Sequence, residues 1–489
     1  MQEQILEDFV GPYLAPGNTT SACEEWALAK EHLKASTFEV APALQVGLGV
    51  AAFLVTLPFV LFRFKLMPLG APAAVLLGAL LMVLSGVLSQ DETFAILGER
   101  SHIQTICLLL GTMLLSHFFR RERLLFLDSL LPSGLSTLGL LARVSLLTSV
   151  VAALFTNDAA CVMLTPALLR HWLHMRRPAT ELKVLLLAIA TSANIGSVTT
   201  VFGNPQMALI AAKTDSALYA ESRLDLRTCL LHLGPPALVC GFINVIGLWV
   251  YHDICLRSEK HTFEEAAIDY DRGVTEEKQT NSCLAFRLAV VVILVSVVTL
   301  LVISSPDMKF DLGLVPVAGG AILVFLDALL NRNDGSATLA NVDLNILLMF
   351  FGFFVWLKGF NKTNLPNYVW KKLGLANDPL DNMKSLGLLY AFILVGSNVF
   401  SNVPLTILVL DQLPPCAPNL PLVLYLGWVA TIAGNLTLFG SVANLIVVEK
   451  AYETLRIKFT FLDYLKYGFV STLILSAAGM VAIYLFLLV

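Results

Sequence analysis

Four asparagines stand where apolar sequence is broken by polar, helix-breaking residues. Asn157 lies in Thr156-Asn157-Asp158, and Asn194 in the stretch Ser192 to Pro205. Asn402 lies in Ser401-Asn402-Val403-Pro404, and Asn435 in Gly434-Asn435-Leu436-Thr437, with Gly440-Ser441 just behind. An asparagine offers a carbonyl acceptor and two amide donors. Hydroxyls accompany each break: Thr156, Thr199, Thr200, Ser401, Thr406, Thr437 and Ser441, with Asn204 beside Pro205. Freed backbone groups and half-helix N-termini add oriented dipoles. Such a set can bind a small polyhydroxy solute, an oxyanion or a sodium ion. The same residue types also cap broken helices, and any single motif fits either reading. Four motifs in matching positions favour a site.

Asp158 is the one acidic residue that falls at mid-membrane in this reading. A carboxylate there costs roughly 2.5–3.5 kcal/mol on insertion scales. It is a candidate for taking up and releasing a coupling proton, and it also suits the N-cap of the arm that follows. No Lys or Arg lies in or directly beside any of the four breaks. A neutral hydrogen-bonding solute fits that lack of cationic partners, and so does an anion carried together with sodium.

The elements that hold these residues are membrane helices. Of 489 residues, 57% are apolar and only 14% charged, against about 25% charged in soluble domains. The mean hydropathy is +0.76. The chain is therefore a polytopic membrane protein whose surroundings are the lipid bilayer. A net charge of −4 without a basic stripe gives no footprint for nucleic acid. The eight cysteines show no C-x-x-C and no zinc spacing. Cys107, Cys161, Cys229 and Cys240 read as small hydrophobes in or beside apolar runs, and Cys23 and Cys416 fall on the same face in the expected topology, where a disulfide is compatible with the sequence. No cofactor and no metal is expected. Polytopic enzymes carry His/Asp/Glu clusters at a membrane face; none is legible here, so the reading is not an enzyme.

In chain order, a polar segment 1–40 with the sequon Asn18-Thr19-Thr20 precedes spans at about 41–62, 68–89 and 102–119. Basic residues Arg63, Lys65 and Arg120 to Arg123 place those connections in the cytoplasm and the N-terminus outside. Basic clusters flank Ser136–Leu169 on both sides, so this stretch is read as a re-entrant hairpin with Thr156-Asn157-Asp158 at its tip. A broken span at 181–212 and a span at 228–251 complete the first repeat, 41–251. A hydrophilic linker, 252–283, follows. The second repeat, 284–489, has spans at about 284–303, 312–330 and 344–357, a hairpin at 385–410 broken at Ser401, a broken span at 422–448 and a last span at 467–489. Asn361-Lys362-Thr363 is a second sequon. Arg143 is expected at the membrane interface by snorkelling, and Asp327 near a span end.

Each half thus has five crossings, and an odd number inserts the second half upside down. Phe155-Thr156-Asn157 corresponds to Phe400-Ser401-Asn402, 245 positions later, and Phe202-Gly203-Asn204 to Phe439-Gly440-Ser441, 237 positions later. The expected architecture is all-α with two inverted-topology repeats, each of three spans, a hairpin, a broken helix and a further span.

The segments ALFTNDAACVMLTP, ATSANIGSVTTVFGNPQ, FSNVPLTILVL and GNLTLFGSVANLIVVE resemble the signature segments of the arsenite permease and plant silicon efflux transporter group. That group belongs to the ion transporter superfamily, with a citrate-transporter-like membrane domain. The resemblance covers roughly residues 41–489. It implies efflux of an uncharged metalloid hydroxide, silicic or arsenous acid, in exchange for protons. Met207 stands where the group's pattern often continues with Asn. Substrate contacts are expected from Thr156, Asn157, Asn194, Thr199, Thr200, Asn204, Ser401, Asn402, Asn435, Thr437 and Ser441, and proton coupling from Asp158. The alternative is sodium-coupled transport of a small dicarboxylate or sulfate-like anion, or sodium/proton antiport. The plasma membrane is the expected location, and a homo-oligomer is compatible with the sequence.

Overall fold

The structure is a computed structural model that describes residues 43–61, 70–124, 131–132, 134–175, 179–215, 222–256, 283–303, 310–340, 342–375, 380, 382–413, 420–455, 457 and 459–487. Asn18, Cys23, Arg63, Lys65, Cys416 and most of the hydrophilic linker lie outside the described residues. The helices, in chain order, are α1 (Ala43–Leu61), α2 (Ala71–Leu84), α3 (Gln90–Gly98), α4 (Arg100–Arg121), α5 (Thr137–Leu154), α6 (Asn157–Met175), α7 (Ala179–Ser197), α8 (Pro205–Thr214), α9 (Leu226–Tyr251), α10 (Leu284–Ile303), α11 (Leu314–Leu330), α12 (Gly335–Leu339), α13 (Leu344–Lys362), α14 (Leu365–Lys372), α15 (Met383–Phe400), α16 (Asn402–Leu410), α17 (Leu420–Ala433), α18 (Val442–Leu455) and α19 (Phe461–Leu487). No strand occurs among the described residues. Among the described residues eight helices are long and apolar enough to cross a bilayer, and they include the first arms of both hairpins, α5 and α15. The chain is an all-α, multi-pass integral membrane protein.

Contacts group the helices into two compact units, each drawing on both sequence halves. The first comprises the described residues up to Ile106, Leu209–Leu224 and Asp343–Val423. Its centre is aromatic: Phe53 of α1 stacks on Phe360 at 3.8 Å and on Trp356 at 4.7 Å, both from α13. Trp356, Phe350 and Phe354 are fully buried. A stacked pair such as Phe53–Trp356 adds about 0.5–1.5 kcal/mol beyond the area it buries. Ser89 and Glu92 close a capping box on α3, a short helix inside the connection from Gln90 to Ser101. The sequon asparagine Asn361 sits within α13; its amide donates to Asp411 and its carbonyl accepts from Gln412. Both ends of that side chain are engaged.

Glu99, between α3 and α4, pairs with Lys213 at 3.4 Å and accepts from Ser101 Oγ at 2.7 Å. Burial raises the proton affinity of this carboxyl. Lys213, His102 and Lys358, with Ser101, outweigh it and hold the group well below the 4.5 of an unperturbed glutamate. A depressed folded-state value gives stability that is present above about 4.5 and is lost as pH falls toward the folded value. Glu99→Gln is therefore expected to melt below the native protein at pH 7. The gap should close as pH is lowered below 4.5, as read from thermal unfolding across pH.

The second unit comprises Cys107–Ala208, Asp225–Val342 and Leu424–Val489 where described. α7 is its hub. Nearly every residue from Glu181 to Ser197 is buried, because α5, α6, α9 and α18 pack against it. Gly196 explains the closest approach: a Cβ there would lie 2.3 Å from the backbone of Ser149 on α5. Small residues at such crossings are how helices pack in lipid. At one end of α4, the Arg121 guanidinium grips Asp327 of α11 through two bonds of 2.7 and 2.6 Å. Asp327 also accepts from Asn331 and Asn333 and is buried. Asp327 does lie near a span end, but as an enclosed ion pair.

Candidate functional site

The first hairpin is α5 and α6, joined at Phe155-Thr156. Ser136 caps α5 by accepting from Gly139 N–H, and Thr156 Oγ1 accepts from Ala159 N–H to start α6. Arg143 and Arg170 are exposed. At 1.5 Å per residue the tip lies roughly 20 Å along each arm from these arginines. The second hairpin, α15 and α16, turns at one residue. Ser401 has φ 74° and ψ 155°, a region that is nearly glycine-only and costs of order 1–3 kcal/mol. Such strain concentrates at ligand clamps and switch regions.

The second break differs from expectation in one respect. α7 continues unbroken through Asn194 to Ser197, and the chain opens only at 198–204 before α8. Thr191 and Ser197 satisfy their hydroxyls on carbonyls of their own helix, so polar side chains there do not disrupt it. Gly203 is required by the loop's return: a Cβ would fall 2.1 Å from Ser197 O.

Three of the four asparagines meet in the second unit. Asn157 Nδ2 donates to Asn194 Oδ1 at 2.9 Å, and Asn194 Nδ2 donates to Asn435 Oδ1 at 2.8 Å. Ser441 Oγ donates to Asn194 Oδ1 at 3.3 Å, and Asn435 Nδ2 reaches Thr191 O at 3.4 Å. Asn157, Asn194, Asn435 and Ser441 are all buried. The hairpin tip is tied to the loop by Asn157 N–H, which donates to Gly203 O at 2.8 Å. Thr200 Oγ1 donates to Ala153 O on α5, and Thr199 Oγ1 to Gly196 O.

Asn204 is the N-cap of α8: its Oδ1 accepts from Met207 N–H, while its amide donates to Ser197 and Thr431 hydroxyls. Thr437 lies in the break before a short 3-10 turn, its carbonyl taken by Asn444 Nδ2. Capping thus accounts for Thr156 and Asn204. It does not account for the Asn157–Asn194–Asn435 chain, whose amides bond one another across three elements. Asp158 follows Asn157 in the first turn of α6, its N–H donating to Asn157 Oδ1.

Ser401 and Asn402 belong to the first unit. Asn402 and Ser397 are buried, and neither Asn402 Oδ1 nor Ser397 Oγ has a hydrogen-bond partner among the described residues. In the second unit, the buried Oε1 of Gln206 is likewise unpartnered. Buried polar atoms normally find partners, so these oxygens keep hydrogen-bonding capacity that the described residues do not use.

Sequence reasoning passed over Asn244. It is buried in α9, donates to Thr191 Oγ1 and Ser192 Oγ, and accepts from Tyr467 OH at 2.8 Å. The signal was an asparagine in the apolar run GFINVIGLWV. A polar residue inside a span is a functional hint by default.

The architecture is matched by a solved membrane transporter. The crystal structure of the Alcanivorax borkumensis YdaH transporter aligns with a TM-score of 0.51 at 15% identity, over 91% of this chain and 98% of that one. The chain belongs to the citrate transporter family, whose model matches residues 50–420. The silicon efflux transporter LSI3 of Oryza sativa subsp. japonica is 30% identical over 89% of this chain and 96% of its own. A Dictyostelium discoideum protein named arsB is 25% identical over 91% of this chain and 93% of its own. The protein is a membrane transporter of the citrate transporter and ArsB group.

Proposed function

We propose that the protein is a secondary active transporter that moves a small uncharged metalloid hydroxide, silicic or arsenous acid, out of the cell in exchange for protons. The observation that carries this reading is the buried chain Asn157–Asn194–Asn435 with Ser441. It presents amide donors, amide acceptors and a hydroxyl, and no cationic side chain takes part. A neutral polyhydroxy acid is donor and acceptor at every oxygen and matches such a set. The resemblance to a silicon efflux transporter supports the same cargo.

In this reading the solute exchanges hydrogen bonds with the asparagine chain, and a carrier must also bind its coupling ion. Asp158, one residue from Asn157 in the first turn of α6, is the proton site. Its counterpart in the second hairpin is Val403, so coupling resides in one hairpin only. The inverted repeats 41–251 and 284–489, an outside N-terminus and the plasma membrane belong to the same proposal.

Asp158→Asn keeps the shape of the side chain but cannot release a proton. Proton-driven flux is expected to fall at least tenfold, while passive exchange of solute across vesicles persists. Undiminished proton-driven flux in the variant sinks the coupling role. Sodium-coupled carriage of a small anion is the second reading. The unpartnered carbonyl oxygen of Asn402, at the turn of the second hairpin, favours it, because carbonyl oxygens at broken helices coordinate sodium in such carriers.

A further inference from the structure

α9 and α19 run antiparallel: Cys240 Sγ donates to Leu475 O, Gly247 faces Tyr467, and the Tyr251 and Tyr467 rings lie 5.4 Å apart. Between them lies a groove of about 310 Å³, at the low end of the ~300–1,000 Å³ typical of small-molecule clefts. Its outer walls are apolar and open. Ile254 is 70%, Val470 55% and Ile474 51% exposed, on two helices long enough to cross a bilayer. Apolar side chains exposed on such helices face acyl chains.

One end of the groove is different. Lys466 lies there, exposed, beside Tyr251 and Tyr467. Asp463, three residues earlier, accepts from the N–H and Oγ1 of Thr460 and also lies within electrostatic reach of Lys466 and Lys183. A hydrocarbon slot ending in an amphipathic tyrosine pair and an ammonium group is complementary to an anionic lipid. Tyrosine rings favour the headgroup level, and basic pockets between membrane helices bind acidic headgroups. The floor is polar and fixed. Asn244 and Tyr467 form it, and Asn244 bonds Thr191 and Ser192 of α7, one turn from Asn194.

We infer that the groove between α9 and α19 is a binding site for an anionic phospholipid, its acyl chain along Ile243, Val470 and Ile474 and its headgroup at Lys466. The occupant is a single lipid held by charge and shape, distinct from the annular shell. Its floor adjoins the helix that carries Asn194, so an occupied groove braces α7.

The test uses the purified full-length protein in vesicles of phosphatidylcholine containing a photoactivatable phosphatidylglycerol or phosphatidylcholine probe. Labelled positions are read by peptide mass spectrometry. Segments 243–254 and 466–475 are expected to take the anionic probe about fivefold more than the zwitterionic one, the factor that one basic residue near a membrane surface supplies. Lys466→Gln should bring the ratio close to one. Val470→Trp, which fills the slot, should lower labelling by both probes. Added phosphatidylglycerol should raise the melting temperature of the native protein and not of Lys466→Gln, since a ligand of the folded state stabilises it by mass action. Equal labelling by the two probes in the native protein means annular lipid only and overturns the proposal. So does a preference that survives Lys466→Gln, or protection of both segments by a second copy crosslinked across the groove.

Discussion

Asn194→Ala is expected to abolish transport and to lower stability by about 2–4 kcal/mol. Asn194 is fully buried and joins two other buried asparagines. Truncation leaves Asn157 Nδ2 without its acceptor, and Asn435 Oδ1 and Ser441 Oγ without partners. Each orphaned buried group costs about 1–3 kcal/mol, and partial rearrangement offsets some of that. The loss of function has a separate cause. The chain of amides is what a solute must exchange bonds with, and removing its central member removes a donor and an acceptor together. The check is flux per folded protein in vesicles, beside thermal unfolding of the same preparation. Lowered stability with full flux would reduce Asn194 to a packing residue.

Asp327→Ala is expected to cost more stability, about 3–5 kcal/mol, because it strands a charge. Arg121 would keep only Glu122 at 3.1 Å, and the two bonds from its guanidinium to Asp327 would vanish. The guanidinium is also held between the rings of Phe118 and Phe286, with centroids 4.9 and 5.2 Å away, so it has little freedom to reach solvent. The double replacement Arg121→Met with Asp327→Leu should recover part of the loss, since apolar side chains of similar volume often replace a buried pair at little cost, while the buried Glu122 loses Arg121 and keeps its pairing with Arg287 at 3.5 Å. Yield of monodisperse protein and its melting temperature read both effects. Equal behaviour of the single and double variants would contradict a buried, coupled pair.

Much of the fold is legible in the sequence, for physical reasons that can be named. Lipid demands long apolar helices, so α1, α4, α10 and α19 lie close to the apolar runs that announce them. Polar breaks are expensive in lipid, so Thr156-Asn157, Ser401 and Gly434-Asn435 mark real helix ends. The point where α7 stops was harder to read. Small polar residues such as Thr191 and Ser197 look like a break, but their hydroxyls bond within the helix and let it continue through Asn194.

Partners far apart in sequence were invisible. Arg121 and Asp327 are 206 residues apart and Asn244 and Tyr467 are 223 apart. A single sequence carries no signal that pairs them. Asn157, Asn194 and Asn435 could be grouped because the repeated motif supplied a common pattern. Asn402 shows the reach of that pattern: it occupies the matching position at a helix start, yet it lies in the first unit with its carbonyl oxygen unpartnered.

Transport as proposed is proton-driven movement of a neutral hydroxide. It is tested most directly by purified protein in sealed vesicles, with silicic or arsenous acid on both sides at equal concentration and a pH or sodium gradient imposed. Net solute accumulation against its own gradient, driven by the pH difference and unchanged by sodium, is the predicted result. Flux that follows the sodium gradient and ignores pH, or that never exceeds equilibration, would contradict it.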